Sequence, residues 1–276
     1  MAKIQARAYA VEDLVRVMER LRDPEQGCPW DLKQDFNTIV PSTLEECYEL
    51  AHAIEDGDFQ HVAEELGDVL FQVIFYCQLG RELGLFEFET IVDTLVGKLV
   101  RRHPHVFAGG EIEGIVDGST SVEEVNVTWE EIKQEERKAR SLPGALADVP
   151  VALPALPRAQ KLQKRAARVG FDWPATSPVL LKLEEEIGEL RQAIAENDEV
   201  GVAAEMGDIL FTCVNLARHL KLDAETSLRN SSNKFEQRFS QMERLAEASG
   251  RELTDLDDAD LDRLWEQAKA SLPGQR

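Results

Sequence analysis

Apolar positions along the chain recur at three- and four-residue steps, and no stretch shows the strict alternation of a strand. Residues 11 to 22 put Val11, Leu14, Val15, Met18 and Leu21 on one side of a short amphipathic helix, which Pro24, Gly27 and Pro29 end. A helix from about 43 to 56 follows, with Ser42 three before Glu45 and Thr43 three before Glu46 as a cap signal. Gly57-Asp58 breaks it ahead of a longer helix, about 59 to 83, whose run Val69, Leu70, Phe71, Val73, Ile74 and Phe75 reads as core all round. Further helices are predicted at about 87–102 and 122–140, on either side of a Gly-, Ser- and acid-rich loop at 108–121. The second half predicts helices at about 177–196, 199–220, 223–248 and 257–271, the first two parted at Asn197-Asp198. The fold class is all-α.

Two acidic signatures occupy matching places in the two halves. Glu45-Glu46-x-x-Glu49 is followed sixteen residues on by Glu65-x-x-Asp68, and Glu185-Glu186-x-x-Glu189 sixteen on by Glu205-x-x-Asp208. Each acid thus recurs 140 positions later, while Lys98, Arg102 and Trp129 recur as Lys234, Arg238 and Trp265 at a spacing of 136. A four-residue loop difference separates the two groups, and the repeat spans whole domains. The chain is expected to be a tandem repeat of two helical domains, 1–140 and 158–276, joined by a proline-rich linker at 141–157.

The spacing carries chemistry. Residues three apart share a helix face, so Glu46/Glu49, Glu65/Asp68, Glu186/Glu189 and Glu205/Asp208 are carboxylate pairs. Antiparallel helices would bring four acids together in each half, as in helical-bundle metal sites. Like charges about 4 Å apart repel by roughly 4 kcal/mol per pair at an effective dielectric near 20, so such a cluster raises its pKa values or takes a cation. Oxygen-only ligands suit Mg²⁺, with Mn²⁺ as a substitute. Lys234 and Arg238, four apart on one face, read as an ordinary surface pair alone and as phosphate contacts when matched with Lys98 and Arg102. Trp129 and Trp265, each in Trp-Glu-x-x-Lys, suit either stacking on a base or helix packing. Trp30 and Trp173 are expected to plug the core.

Composition narrows the partners. A net charge of −21 argues against capture of nucleic acid or an anionic membrane surface. The start lacks a signal-peptide pattern, and no apolar run is expected to approach the length of a membrane span. Cys28, Cys47, Cys77 and Cys213 include no C-x-x-C pair, which makes disulfides an unneeded assumption and the cytoplasm the expected compartment. His103-Pro104-His105 has no counterpart in the second half and reads as a structural turn. Neither a Walker A loop nor a G-x-S-x-G elbow occurs.

The pattern E-E-x-x-E, sixteen residues, E-x-G-D and then a Lys-x-x-x-Arg helix resembles the MazG family of nucleoside triphosphate pyrophosphohydrolases, in its long two-domain bacterial form. Gly27-Cys28-Pro29-Trp30-Asp31, Arg102-His103-Pro104-His105-Val106-Phe107, Val169-Gly170-Phe171-Asp172-Trp173 and Lys234-Phe235-Glu236-Gln237-Arg238-Phe239 extend the likeness across nearly the whole chain. The resemblance implies Mg²⁺-dependent hydrolysis of an NTP or dNTP to monophosphate and pyrophosphate. It implies metal binding by Glu186, Glu189, Glu205 and Asp208, with Glu46, Glu49, Glu65 and Asp68 as counterparts. Glu185 joins the catalytic set, Lys182, Lys234 and Arg238 hold the triphosphate, and Trp265 lies near the base. The family also implies a homodimer. Ser42 stands where the second half has Lys182, and by likeness to the two-domain family the C-terminal repeat is expected to be the main site. Two alternatives stay open: a metal-stabilised scaffold without turnover, and a hydrolase restricted to one nucleotide such as dUTP or dCTP.

Overall fold

A computed structural model describes residues 8–115, 120–139 and 144–271. Among them there are ten α-helices, three short 3-10 turns and no strand. The chain divides into two compact units, 1–136 and 137–276. Residues 141–143 of the expected proline-rich linker, 116–119 of the expected acidic loop and 140, the last position of the helix expected at 122–140, lie outside the described residues.

The first unit contains α1 (Val11–Leu21), α2 (Val40–Asp56), α3 (Phe59–Glu82), α4 (Phe88–Arg102) and most of α5 (Val122–Ala139). The second contains α6 (Ala155–Ala167), α7 (Thr176–Glu196), α8 (Glu199–His219), α9 (Ala224–Ala248) and α10 (Asp258–Ser271). Two tight turns set the acid-bearing hairpins. Gly57 closes α2 in the left-handed region (φ 71°), and the Asp58 carboxylate accepts from the backbone N–H groups of Gln60 and His61 to start α3. Asn197 (φ 55°) and Asp198, which accepts from Gly201 N–H at 3.0 Å, repeat the device between α7 and α8.

In the first unit α1 and α2 pack on α3. Met18, Ile39, Ile74, Phe75 and Leu79 form its buried core, flanked by Leu14, Val15, Phe36, Phe71, Tyr76 and Phe88. Each of the larger fully buried side chains contributes about 2 kcal/mol of apolar burial. Gly80 is needed where it stands, because a Cβ there would lie 2.5 Å from the Phe86 ring. Arg22 ties the layers by a bidentate pair with Glu82 and by donating to the carbonyls of Asp31 and Gln34. In the second unit α8 packs on α6 and α7, and α9 on α10. Its fully buried residues are small or few, Val179, Val214, Met242, Ala246 and Ala268 among them. Asp172 is clamped there by Arg218 and by His219 Nε2 at 3.1 Å, and Gln163 donates to Phe211 O at 2.8 Å.

Several expectations are corrected. Ser42 and Thr43 do not cap α2, which begins at Val40 with Pro41 in its first turn; the Thr43 hydroxyl bonds Ile39 O at 3.1 Å and Tyr76 Oη at 2.9 Å. The apolar run of α3 is not buried all round, since Leu70 and Val73 are more than a third exposed. Trp30, 59% exposed, does not plug the core, and Trp173 is also exposed. Residues 155–157, read from their prolines as linker, form the first turn of α6, where proline's fixed φ is tolerated. Finally, α8 is 21 residues long and, with a mean hydropathy of 1.4 over its most apolar 18 residues, long and apolar enough to cross a membrane. That is weak support for a span, because α8 carries Glu199, Glu205 and Asp208 and packs on α6, α7 and α9.

Candidate active site

The Gly57-Asp58 and Asn197-Asp198 turns fold each pair of acid-bearing helices back on itself, so acids far apart in sequence meet. In the second unit one carboxylate oxygen from each of Glu186, Glu205 and Asp208 lies within 4.8 Å of the others. Glu186, on α7, is 5% exposed, whereas Glu189 and Asp208 reach solvent. Burial first, and then the charges of Glu189, Glu186 and Asp208, push the Glu205 carboxyl above its ordinary value. Of the four acids predicted from the sequence, Glu186, Glu205 and Asp208 converge, and Glu189 reaches Glu205 through its charge. Lys182 answers from one turn earlier, its Nζ 2.7 Å from Glu185 Oε1 and 2.8 Å from Glu186 Oε1. Those two carboxylates hold the Lys182 ammonium charged well past the usual lysine range.

The first unit builds the same cluster with different members buried. Glu46, Glu49 and Glu65 bring carboxylate oxygens within 4.8 Å of one another. Burial, then Asp68, Glu49, Glu65 and Glu45, raises the Glu46 carboxyl, which places Asp68 in the same field. Here the buried acid is Glu65 on α3, 7% exposed, with Oε1 2.7 Å from His61 Nε2 and Oε2 buried without a hydrogen-bond partner. Sequence reading missed His61, although its position four before Glu65 was a usable signal.

The basic and aromatic residues form a second group in each unit. Arg238 lies over the Trp265 ring at 5.9 Å from its centroid, and Phe235 packs against the same indole at 5.6 Å, so α9 and α10 meet through this cluster. In the first unit Trp129 is covered instead by Lys133, at 4.3 Å, and by His103, at 5.4 Å. His103 also bonds Leu99 O at 2.7 Å through Nδ1, as a structural turn closing α4. Arg102 is committed: with Arg101 it grips Glu136 at 2.5 and 2.7 Å, and the two guanidiniums bring the Glu136 carboxyl down to about 2.

The clusters fit a hard divalent cation. Each offers convergent oxygens, in each at least one carboxyl is held above its normal pKa by burial and then by its neighbours, and in the first unit one buried oxygen has no partner. Glu186, Glu189, Glu205 and Asp208 would hold it in the second unit, and Glu46, Glu49, Glu65 and Asp68 in the first.

Comparison with known proteins gives a consistent set of likenesses. Residues 34–107 and 176–242 each match the MazG nucleotide pyrophosphohydrolase domain. The chain is 48% identical to the nucleoside triphosphate pyrophosphohydrolase of Escherichia coli K12 over 94% of its own length and 97% of that protein. It is 43% identical to the nucleoside triphosphate pyrophosphohydrolase/pyrophosphatase MazG of Thermotoga maritima over 94% of its length and 95% of the relative. The crystal structure of a mazG-related protein from Thermotoga maritima aligns with 45% of the chain and 98% of its own, at 27% identity and a TM-score of 0.37.

Proposed function

The chain belongs to the MazG family of nucleotide pyrophosphohydrolases, and from that premise we propose that it hydrolyses nucleoside triphosphates to monophosphate and pyrophosphate at the carboxylate cluster of the second unit. The observation that carries this reading is the convergence of Glu186, Glu205 and Asp208 beside Lys182. The cation is Mg²⁺, with Mn²⁺ able to replace it, because the donors are all oxygens. When bound, it supplies charge neutralisation for the triphosphate and acidifies water for attack.

The residues of the chain do the rest. Glu186, Glu189, Glu205 and Asp208 hold the cation, and a carboxylate it leaves free, Glu185 among the candidates, accepts the proton of the attacking water. Lys182 sits on the cluster and can turn from Glu186 to a phosphate once a divalent charge takes its place. Lys234 and Arg238 offset the charge that builds on departing pyrophosphate. Trp265, already seated against Arg238 and Phe235, gives a base an aromatic face. The first unit is the poorer catalyst in this account, because Ser42 replaces Lys182 and Glu136 holds Arg102.

Two further parts of the proposal follow from surfaces and cysteines. Leu180, Leu181, Met206, Leu210 and Phe211 expose a run of apolar side chains on the acid-bearing helices, which a second copy of the chain would cover as a homodimer. A cytoplasmic setting suits the four free cysteines.

The test is product analysis with a panel of NTPs and dNTPs and Mg²⁺. Monophosphate and pyrophosphate in equal amounts are expected. Diphosphate with inorganic phosphate would contradict cleavage between the α and β phosphates. No product from any nucleotide, with Mg²⁺ still bound, would leave a metal-stabilised scaffold, and turnover of dUTP or dCTP alone would mark a restricted hydrolase.

A further inference from the structure

Between α1, the C-terminal half of α3 and the start of α4, the first unit leaves a cavity of about 900 Å³. The acids Glu46, Glu49, Glu65 and Asp68 do not line it, because its α3 residues lie between Ile74 and Arg81. Val15, Met18, Ile74, Phe88, Val92 and Val96 give it an apolar lining. That size and that lining fall in the range of small-ligand sites.

The charges around it are one-sided. Arg16 is paired with Asp13 and Arg81 with Glu19, so both arginines that line the cavity are spent within the chain. Glu12, Glu87, Glu89 and Asp93 line it too, and among the described residues they have no ion pair or side-chain hydrogen bond. Glu89 and Asp93 stand one turn apart on one face of α4, a like-charge spacing that weakens a helix. Glu89 suits the first turn of α4, whereas Asp93 lies beyond the reach of that helix end. Glu89 also acts inward. Cys77, a lining residue 5% exposed, has its thiol pushed up by burial first and then by the charge of Glu89.

We propose that this cavity is a binding site for a small ligand that joins an apolar body to an ammonium or amidinium head. The body lies against Met18, Ile74, Phe88 and Val92, which removes apolar surface from water. The head meets Glu89 and Asp93, and so supplies the cation that the chain does not. A nucleotide is disfavoured there, since it would face four unpaired carboxylates and two arginines already held by Asp13 and Glu19. In place and in ligand class the site is separate from the acid clusters, and it stands whether or not the second unit turns over triphosphates.

The experiment titrates the full chain with three fluorescent probes that share one apolar body: pyrenylmethylamine, pyrenylmethanol and pyrenecarboxylate. Salt at about 0.15 M screens the net charge of the chain. The amine should bind at one site per chain, about tenfold tighter than the alcohol, with the carboxylate weakest. Glu89→Gln combined with Asp93→Asn, two exposed changes that keep side-chain size, should weaken the amine about three- to tenfold and leave the alcohol unchanged. Val92→Trp, which fills the cavity, should abolish binding of both. Equal affinity for the three probes, no binding of the amine, or an amine affinity indifferent to the two carboxylates would overturn the proposal. So would a change of oligomeric state in Val92→Trp by sedimentation, which would assign the cavity to a second copy of the chain. Should Val92→Trp lose its helical circular dichroism, the carboxylate variant decides alone.

Discussion

The acid clusters of the two units are built from the same sequence signature yet bury opposite members. In the second unit the buried acid is Glu186 on the first helix of the hairpin, answered by Lys182; in the first it is Glu65 on the second helix, answered by His61. Each partner is replaced in the other unit by a residue that cannot play its part, Ser42 for Lys182 and Gly201 for His61. The cationic neighbourhoods diverge in the same direction. Arg238 lies over Trp265, whereas its counterpart Arg102 is locked to Glu136 and Trp129 is covered by Lys133. On the proposed reading, the duplicated acids keep a place for a cation in both units, and the bases around them decide whether a triphosphate joins it.

The sharpest way to break this contrast is to remove equivalent ligands. Asp208→Ala should lower turnover by about 10³-fold or more, because a catalytic cation supplies several kcal/mol of transition-state stabilisation. Asp68→Ala should leave most of the turnover. Comparable losses in steady-state kinetics would make both units active and end the asymmetry.

Next in size is the cationic pair. Lys234→Ala and Arg238→Ala should each reduce kcat/KM by about 10- to 100-fold with Mg²⁺ binding retained in calorimetry. Arg102→Ala should not change kcat/KM, since its guanidinium is already spent on Glu136. A loss there equal to that of Arg238→Ala would bring the first unit back as a phosphate-binding site.

A smaller effect links metal to pH. Glu46 and Glu205 have folded pKa values raised above the ordinary carboxylate value near 4.5, so the native state holds more protons than the unfolded one in that window. Without metal, their contribution to stability falls as pH rises above about 4.5 and through the raised values. Mg²⁺ should relieve this, raising Tm by roughly 2–4 °C more at pH 7 than at pH 5 in thermal melts. An equal increment at both pH values would show that the ion binds elsewhere.

The smallest effect concerns Glu136. Its folded pKa, depressed to about 2, means that its pairing with Arg101 and Arg102 stabilises the first unit above the unfolded value of 4.5 and is lost as pH falls through about 2. Glu136→Gln should therefore melt below the wild type at neutral pH, with the difference shrinking between pH 4.5 and 2. A pH-independent difference would assign the effect to packing instead of charge.

Much of the fold was legible because its signals are local. Helix periodicity and the Gly57-Asp58 and Asn197-Asp198 turns located the acid-bearing hairpins, and the ends of α3, α8 and α9 fall within one residue of those predicted. The acids themselves were visible through their spacing and repetition. What was missed depends on contacts across the chain or on burial. Prolines masked α6, since Pro157 looks like a breaker and stands in a first turn that tolerates it. Arg102 and Glu136 are separated by 34 residues, with no periodicity to join them. Which acid of each cluster is buried follows from packing of α2 on α3 and α7 on α8, not from the repeat. The apolar run of α3 misled for the same reason, as Leu70 and Val73 on its outward side stay more than a third exposed among the described residues.

The most direct test of the central claim is the rate of pyrophosphate release from a nucleoside triphosphate with Mg²⁺ for two matched variants, Glu46→Ala and Glu186→Ala, beside the wild type. Catalysis by the second unit predicts that Glu186→Ala loses nearly all of the rate and Glu46→Ala keeps most of it. The reverse pattern, or full activity in both, would contradict it.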